Sequence, residues 1–164
     1  MSFVSELFLG SEERINPFIF GGRVLVYIIF LVWGIMFITE PMGSLEFSKS
    51  FMHNINLVFH EAGHIIFSIF GRLIKSLGGT LGQVLIPVIV TIAFLLKQNP
   101  FGATVGLWWT GQSLMDIAPY INDARAQRLI LLGGVTGRDA PRGFHDWNFI
   151  LGELGLLKAD HAIA

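Results

Sequence analysis

The residues of this chain best suited to chemistry are His60, Glu61 and His64, which form the pattern His-Glu-x-x-His. On a helix, histidines four residues apart lie on one face, where both imidazoles can bind one zinc ion. The glutamate between them can act as general base on a zinc-bound water. The flanking residues are almost all apolar, so three ionisable side chains here are costly unless they serve a function. The pattern therefore predicts a zinc site with His60 and His64 as ligands and Glu61 as the catalytic base.

The composition indicates that this motif lies in a membrane protein. Of the 164 residues, 52% are hydrophobic and only 14% are charged, which differs from the balance of a soluble domain. The net charge of −1 argues against nucleic acid as a partner. The chain has no cysteine, which excludes disulfides and thiolate metal ligands. We therefore expect membrane lipid around the protein and a metal site built from histidines and carboxylates.

Four apolar stretches predict an all-α, polytopic bundle of four transmembrane helices. Their approximate ranges are 24–38, 51–74, 81–96 and 103–118, and the motif falls near the middle of the second. Gly78 and Gly79 are expected to end the second helix, and Pro119 is expected to end the fourth.

Two less apolar segments flank the predicted bundle. Residues 1–22 are expected to form a short helix on the membrane surface, ended by Gly21 and Gly22. Residues 121–164 are expected to form a cytoplasmic or interfacial tail, with one helix at about 145–157 that is too short to cross the bilayer. The predicted organisation is therefore an N-terminal segment (1–22), a transmembrane domain with the zinc site (23–120) and a tail (121–164).

The distribution of basic residues predicts the orientation in the membrane. Four crossings leave both termini on one side, and that side carries nine of the 11 lysines and arginines. Positive residues favour the cytoplasmic side, so both termini of this multi-pass protein are expected there, in the inner or plasma membrane of a prokaryote. The second and fourth helices then run in the same direction. The nine residues are Arg14, Arg23, Arg72, Lys75, Arg125, Arg128, Arg138, Arg142 and Lys158, and the other two are Lys49 and Lys97.

A catalytic zinc site needs a third protein ligand, and Asp116 is the first candidate. It lies in the fourth predicted helix, which runs parallel to the second, so the depths of Asp116 and His64 in the membrane can match. A buried aspartate in such a helix otherwise has to be protonated or paired with another group. The alternative is that Asp116 is such a structural partner.

His145 is the second candidate for the third ligand. The run His145-Asp146-Trp147 can place an imidazole over the cytoplasmic mouth of the site, with the Asp146 carboxylate hydrogen-bonded behind it. The alternative is that His145 begins a helix, where Asp146 interacts favourably with the helix dipole.

The motif and the helices after it resemble the core of the site-2 proteases, which are intramembrane zinc metalloproteases. The resemblance covers residues 51–120 and rests on the intramembrane His-Glu-x-x-His and on Leu114-Met115-Asp116, a Leu-x-Asp element on a parallel helix. It implies that His60, His64 and Asp116 bind zinc and that Glu61 activates the water that cleaves a peptide bond within the membrane. This chain would be a small, divergent member without a PDZ domain, and Asp116 is followed by isoleucine where the family usually has glycine.

Three functions remain open at the level of the sequence. The first is a metalloprotease that hydrolyses a peptide bond of a transmembrane protein substrate. The second is an accessory or structural subunit that keeps the metal site and packs against partner subunits of a larger membrane complex. The third is a zinc hydrolase that acts on lipid or another small membrane substrate. A fourth coordination position filled by His145 would favour the structural role, whereas an open position beside Glu61 would favour catalysis.

Overall fold

The computed structural model describes residues 16–42 and 49–164, and the regular structure in this part of the chain is helical. No strand occurs among the described residues beyond one isolated bridge between Ile130 and Thr136. The all-α prediction is therefore confirmed, while most of the predicted surface helix falls on residues 1–15, outside the described part. The α-helices are α1 (Pro17–Thr39), α2 (Phe51–Ile66), α3 (Arg72–Leu96), α4 (Pro100–Asn122), α5 (Asp146–Glu153) and α6 (Asp160–Ile163), with 3₁₀ turns at Phe67–Phe70 and Leu157–Ala159.

Two of these helices, α1 and α3, are long and apolar enough to cross a membrane. Helix α1 has 23 residues, and Phe37 is its one buried residue. Four transmembrane helices are not confirmed. Helix α2 has only 16 residues, whereas a bilayer needs about 20. Helix α4 has 23 residues but is less apolar than α1 and α3.

The break between α2 and α3 differs from the sequence prediction. Helix α2 ends at Ile66, and the chain turns through a 3₁₀ segment to Gly71, whose φ of 88° is a conformation that residues with a Cβ rarely adopt. Helix α3 then starts at Arg72, so the prediction of one helix over 51–74 is wrong. Gly78 and Gly79 lie inside α3 and do not end a helix.

These glycines instead allow the backbones of α2 and α3 to touch. A Cβ at Gly63 would overlap the carbonyl oxygen of Gly78, and a Cβ at Gly82 would lie 2.5 Å from the carbonyl oxygen of Phe59. Small residues let helices approach in this way, because no side chain separates the two backbones. The close approach brings the first turns of α3 against the His-Glu-x-x-His motif.

Other glycine and proline signals also act differently from the prediction. Gly21, Gly22 and Pro119 lie within helices, since α1 already begins at Pro17 and α4 continues to Asn122. Residues 97–99 form a tight turn between α3 and α4, with Gln98 at a φ of 53°. Helix α5 lies within the predicted range 145–157.

The chain divides into two compact units. Among the described residues, the first comprises 16–39 and 85–112, and in it the ring of Trp108 stacks on Phe30 at 4.5 Å while its Nε1 donates to the Phe30 carbonyl at 2.9 Å. The second comprises the described residues 40–42, 49–84 and 113–164. It contains the motif, the region predicted as a tail, and a core cluster of Ile117, Ile121, Ala124 and Leu151.

Candidate metal centre

His60, His64 and Asp146 form a group that could hold a metal ion in the second unit. Their ligand atoms all lie within 4.8 Å of one another. Oδ2 of Asp146 is 3.3 Å from Nε2 of His60 and 3.2 Å from Nε2 of His64. In a tetrahedral zinc site with bonds of about 2.0–2.1 Å, neighbouring ligand atoms are separated by about 3.3 Å. The three donors are therefore close enough together to hold one metal ion.

Helix α2 supplies the two imidazoles, as its sequence predicts. His60 and His64 are one turn apart, and their rings are 4.8 Å apart at an interplanar angle of 85°. His60 is buried and His64 is half-buried. The crossed rings direct both Nε2 atoms to the same carboxylate oxygen.

The backbone of α3 fixes the tautomer of His64. Its Nδ1 lies 2.8 Å from the carbonyl oxygen of Lys75, which can only accept a hydrogen bond. Nδ1 therefore carries the proton, and in the neutral ring Nε2 keeps its lone pair on the side of Asp146. Metal-binding histidines are commonly oriented by such a hydrogen bond from the other ring nitrogen.

Gly79 provides the space in which the two rings converge. A Cβ at this position would lie 2.5 Å from Nε2 of His60 and 2.7 Å from Cε1 of His64. Any side chain there would occupy the space beside the ligand atoms. The residue that the sequence pattern assigned to a helix end is therefore part of the wall of the site.

Helix α5 delivers the carboxylate, because Asp146 is its first residue. The helix is attached to α3 by Trp147, whose Nε1 donates to Thr80 Oγ1 at 3.1 Å, and by Phe149, whose ring lies 4.4 Å from the guanidinium carbon of Arg72. Burial alone would raise the pKa of Asp146, but hydrogen bonds from His60 and His64 outweigh this effect and lower its pKa to about 2. The Asp146 carboxylate is therefore ionised at neutral pH.

Glu61 lies beside this group on α2. It is half-buried, and within the described residues no hydrogen bond or ion pair joins its carboxylate to another side chain. Its negative charge interacts with His64 and with Tyr120. This placement leaves the carboxylate available to a proton-transfer partner.

Asp116, the first predicted third ligand, lies in a different cluster. Its Oδ1 is 3.0 Å from Nδ1 of His53, and its Oδ2 accepts hydrogen bonds from Nδ2 of Asn56 at 3.1 Å and Nε2 of Gln83 at 2.9 Å. Asn56 is one turn before His60 on α2, so Asp116 lies about one turn away from the imidazole pair. The structure thus gives Asp116 the structural partnership that was its alternative role, and the carboxylate beside the histidines is that of Asp146.

His145, the second predicted third ligand, begins α5 instead of joining the imidazole pair. It is 1% exposed, its Nδ1 accepts a hydrogen bond from the Asn148 amide at 3.2 Å, and its Nε2 lies 3.5 Å from Oδ2 of Asp123. Burial raises the pKa of Asp123, but His145 and the amides of Arg128 and Leu129 outweigh this and leave the pKa below its usual value. Nδ1 of His145 is therefore used by the Asn148 amide, whereas Nε2 is buried near Asp123 without a hydrogen bond. The carboxylate that faces His60 and His64 is that of Asp146, the neighbour of His145.

Comparison with known proteins finds no family model, no curated protein and no solved structure that matches this chain. The geometry of the site therefore carries the functional argument.

Proposed function

We propose that this protein is a zinc-dependent hydrolase of the membrane, with His60, His64 and Asp146 as zinc ligands and Glu61 as general base. One observation carries the proposal: two imidazole Nε2 atoms converge on one carboxylate oxygen at 3.2 and 3.3 Å. Because His64 donates through Nδ1, its Nε2 can share a second proton with Asp146 or, in the neutral ring, offer a lone pair to a metal ion. A metal ion bound here would take the place of that proton between Nε2 and the carboxylate.

The type of donor set supports catalysis over a purely structural metal. Two histidines and one carboxylate are a set found in catalytic zinc sites, which leave one position for water, whereas structural sites close all four. A structural site was expected to use His145 as a further ligand, and His145 is not part of the group formed by His60, His64 and Asp146. The accessory-subunit alternative therefore has less support than the enzyme.

Each residue of the chain has a defined task in the proposed reaction. When bound, the metal would lower the pKa of a coordinated water and polarise the substrate carbonyl. Glu61 would take the proton from the attacking water and pass it to the leaving amine. His64 would be held in its binding tautomer by the Lys75 carbonyl, and Gly79 would keep the space beside both imidazoles free of other side chains.

We propose a peptide bond of a membrane helix as the substrate, on the strength of the resemblance to site-2 proteases. The two helices long and apolar enough to cross a membrane are consistent with that setting. The resemblance implied Asp116 as third ligand, so the use of Asp146 would make this chain depart from the family within the metal site itself. A substrate helix would have to unwind locally, since a helical amide is hydrogen-bonded and shielded.

The helix pairings support a return of the chain through the membrane. In the first unit Gly102 packs on Phe94 and Gly106 on Thr91, so the parts of α3 and α4 in this unit run antiparallel. If α3 crosses the bilayer, α4 must therefore return alongside it. The metal site would lie near the Arg72 end of α3, which the positive-inside rule assigns to the cytoplasm.

The decisive experiment compares Glu61→Gln with the unchanged protein in liposomes that contain a labelled single-span peptide. We expect unchanged zinc content and a loss of cleavage of about 10²–10⁴-fold, the usual contribution of a general base. Glu153→Gln, a change of an exposed glutamate on α5, is the matched control and should cleave normally. Undiminished cleavage by Glu61→Gln would refute the mechanism, and cleavage of the lipid ester instead of the peptide would redirect the substrate class.

A further inference from the structure

Tyr120 makes two hydrogen bonds to the same aspartate that completes the candidate metal centre. Its hydroxyl accepts a hydrogen bond from the backbone amide of Asp146 at 2.9 Å and donates one to Oδ2 of Asp146 at 3.3 Å. Oδ2 is also the oxygen that faces His60 and His64. One phenolic group thus contacts both the backbone and the ligand atom of this residue.

The position of the Tyr120 hydroxyl is itself fixed by packing. The ring of Tyr120 lies 4.3 Å from the ring of His145 at an angle of 31°. His145 is held in turn by the Asn148 amide and lies against Asp123. The ring of Tyr120 also meets the ring of His60 edge-on at 6.1 Å, so packing on two sides fixes the position of the hydroxyl.

We propose that Tyr120 is a positioning residue, which orients the Asp146 carboxylate for the metal and tunes its strength as a ligand. The hydroxyl proton occupies one lone pair of Oδ2, which leaves the other directed at the two Nε2 atoms. The bond to the backbone amide fixes the start of α5, so the carboxylate cannot turn away from the histidines. This inference rests on the proposed metal site and adds a residue outside the His-Glu-x-x-His motif to it.

The test is Tyr120→Phe in the full-length protein, measured with Zn²⁺ and with Co²⁺. The substitution keeps the ring stacked on His145 and removes only the hydroxyl. Hydrogen-bond partners of metal ligands typically change affinity by about 10–100-fold, so we expect metal binding weaker by that factor in competition with a chelator. The visible absorption bands of bound Co²⁺ should also change, because the geometry and donor strength of Asp146 change; a purely structural role would leave them unaltered.

Tyr27→Phe is the matched control, because Tyr27 and Tyr120 are the only tyrosines in the chain. The Tyr27 hydroxyl also makes a hydrogen bond, at 2.6 Å to Thr104 Oγ1, but it lies in the first unit, which does not contain the metal centre. We expect this variant to keep the metal affinity and the Co²⁺ spectrum of the unchanged protein.

A double-mutant cycle with Asp146→Ala tests whether Tyr120 changes the metal affinity through Asp146. If Tyr120 acts through Asp146, then Tyr120→Phe should not weaken metal binding any further in a chain that lacks this carboxylate. Equal affinity and an identical Co²⁺ spectrum for Tyr120→Phe and the unchanged protein would overturn the inference while the metal site stands. Failure of the unchanged protein to bind either ion would overturn both. Helical content measured without metal identifies any variant that does not fold. A Tyr120 variant that fails this check is replaced by Tyr120→Leu, which also lacks a donor, and an Asp146 variant by Asp146→Asn.

Discussion

Asn56 and His60 lie one turn apart on α2, and each contacts a different buried carboxylate. Nδ2 of Asn56 donates to Asp116 at 3.1 Å, whereas Nε2 of His60 lies 3.3 Å from Asp146. The polar face of α2 therefore carries two separate clusters. In the first cluster the carboxylate is satisfied by amide and imidazole donors, and in the second it faces two metal-binding nitrogens.

This separation predicts opposite effects of the two aspartates on zinc content. Asp146→Ala should weaken zinc binding on the order of 100-fold or more, beyond the effect typical of residues that only support a ligand. Asp116→Ala should retain zinc, because its carboxylate is bonded to His53, Asn56 and Gln83. Metal content of the purified variants by elemental analysis is the measurement. Zinc loss in Asp116→Ala alone would assign the third ligand to Asp116.

The Asp116 cluster should instead contribute to stability. Asp116→Ala removes one acceptor shared by three donors in the second unit, and the loss of buried hydrogen-bond partners costs about 1–3 kcal/mol each. We expect the free energy of unfolding to fall by about 3 kcal/mol in total. Asp139→Ala is the control, since this exposed aspartate accepts one side-chain bond, from Thr136. Equal stability of the two variants in a denaturant titration would contradict the prediction.

Gly79→Ala should impair metal binding because a Cβ there would lie 2.5 Å from Nε2 of His60. We expect zinc affinity to fall more than about 10-fold, since the displaced ring can no longer reach the position shared with His64 and Asp146. Gly111→Ala is the matched control on α4, where a Cβ would meet no atom within 4 Å. That variant should bind zinc normally and be no less stable, because alanine is favoured over glycine in a helix by about 1 kcal/mol. The measurement is the zinc affinity of both variants in competition with a chelator. Equal affinity of Gly79→Ala and Gly111→Ala would contradict the prediction.

The C-terminal segment should show a pH-dependent contribution from Asp160. The Arg125 guanidinium, at 2.7 Å, holds the pKa of Asp160 below its usual value of 3.8. A carboxyl with a lowered pKa stabilises the folded state above its unfolded pKa, and this stability is lost as the pH falls through the folded value. Asp160→Asn should therefore have a lower thermal midpoint than the unchanged protein, by the same amount at every pH between about 7 and 5. Below pH 3.8 the gap between the two midpoints should shrink. A difference that stays constant through this acid range would argue against the ion pair.

Local spacing was enough to bring together two members of the candidate metal-binding group, and it could not predict the third. His60 and His64 are related by the period of one helix, which can be read from the sequence. Asp146 reaches them only because α5 is attached to α3 through Trp147 and Phe149, a tertiary contact with no periodic signal. The available clue was its position beside His145 in a run of polar residues before an apolar helix.

The predicted helix boundaries were wrong because tertiary contacts, which local sequence does not show, decide where these helices end. A pair of glycines and a proline usually end helices, but Gly78, Gly79 and Pro119 lie inside α3 and α4. At Gly78 and Gly79, contact with α2 and its histidines outweighs the weak intrinsic preference of glycine for a turn. Gly71, a single glycine, ends the 3₁₀ segment through its positive φ, and nothing in its sequence context separates it from the other glycines.

The glycine contact between α2 and α3 also sets the register of one helix along the other. Gly63 packs against Gly78 and Gly82, and Gly79 faces the imidazoles, so a slip of α3 by one residue would bring Thr80 or Gly78 to the histidines. A slip of one full turn would bring Lys75 or Gln83 there. The contact therefore fixes the alignment of α3 along α2. The candidate metal-binding group keeps its space beside Gly79 only in chains in which α3 has docked in this alignment.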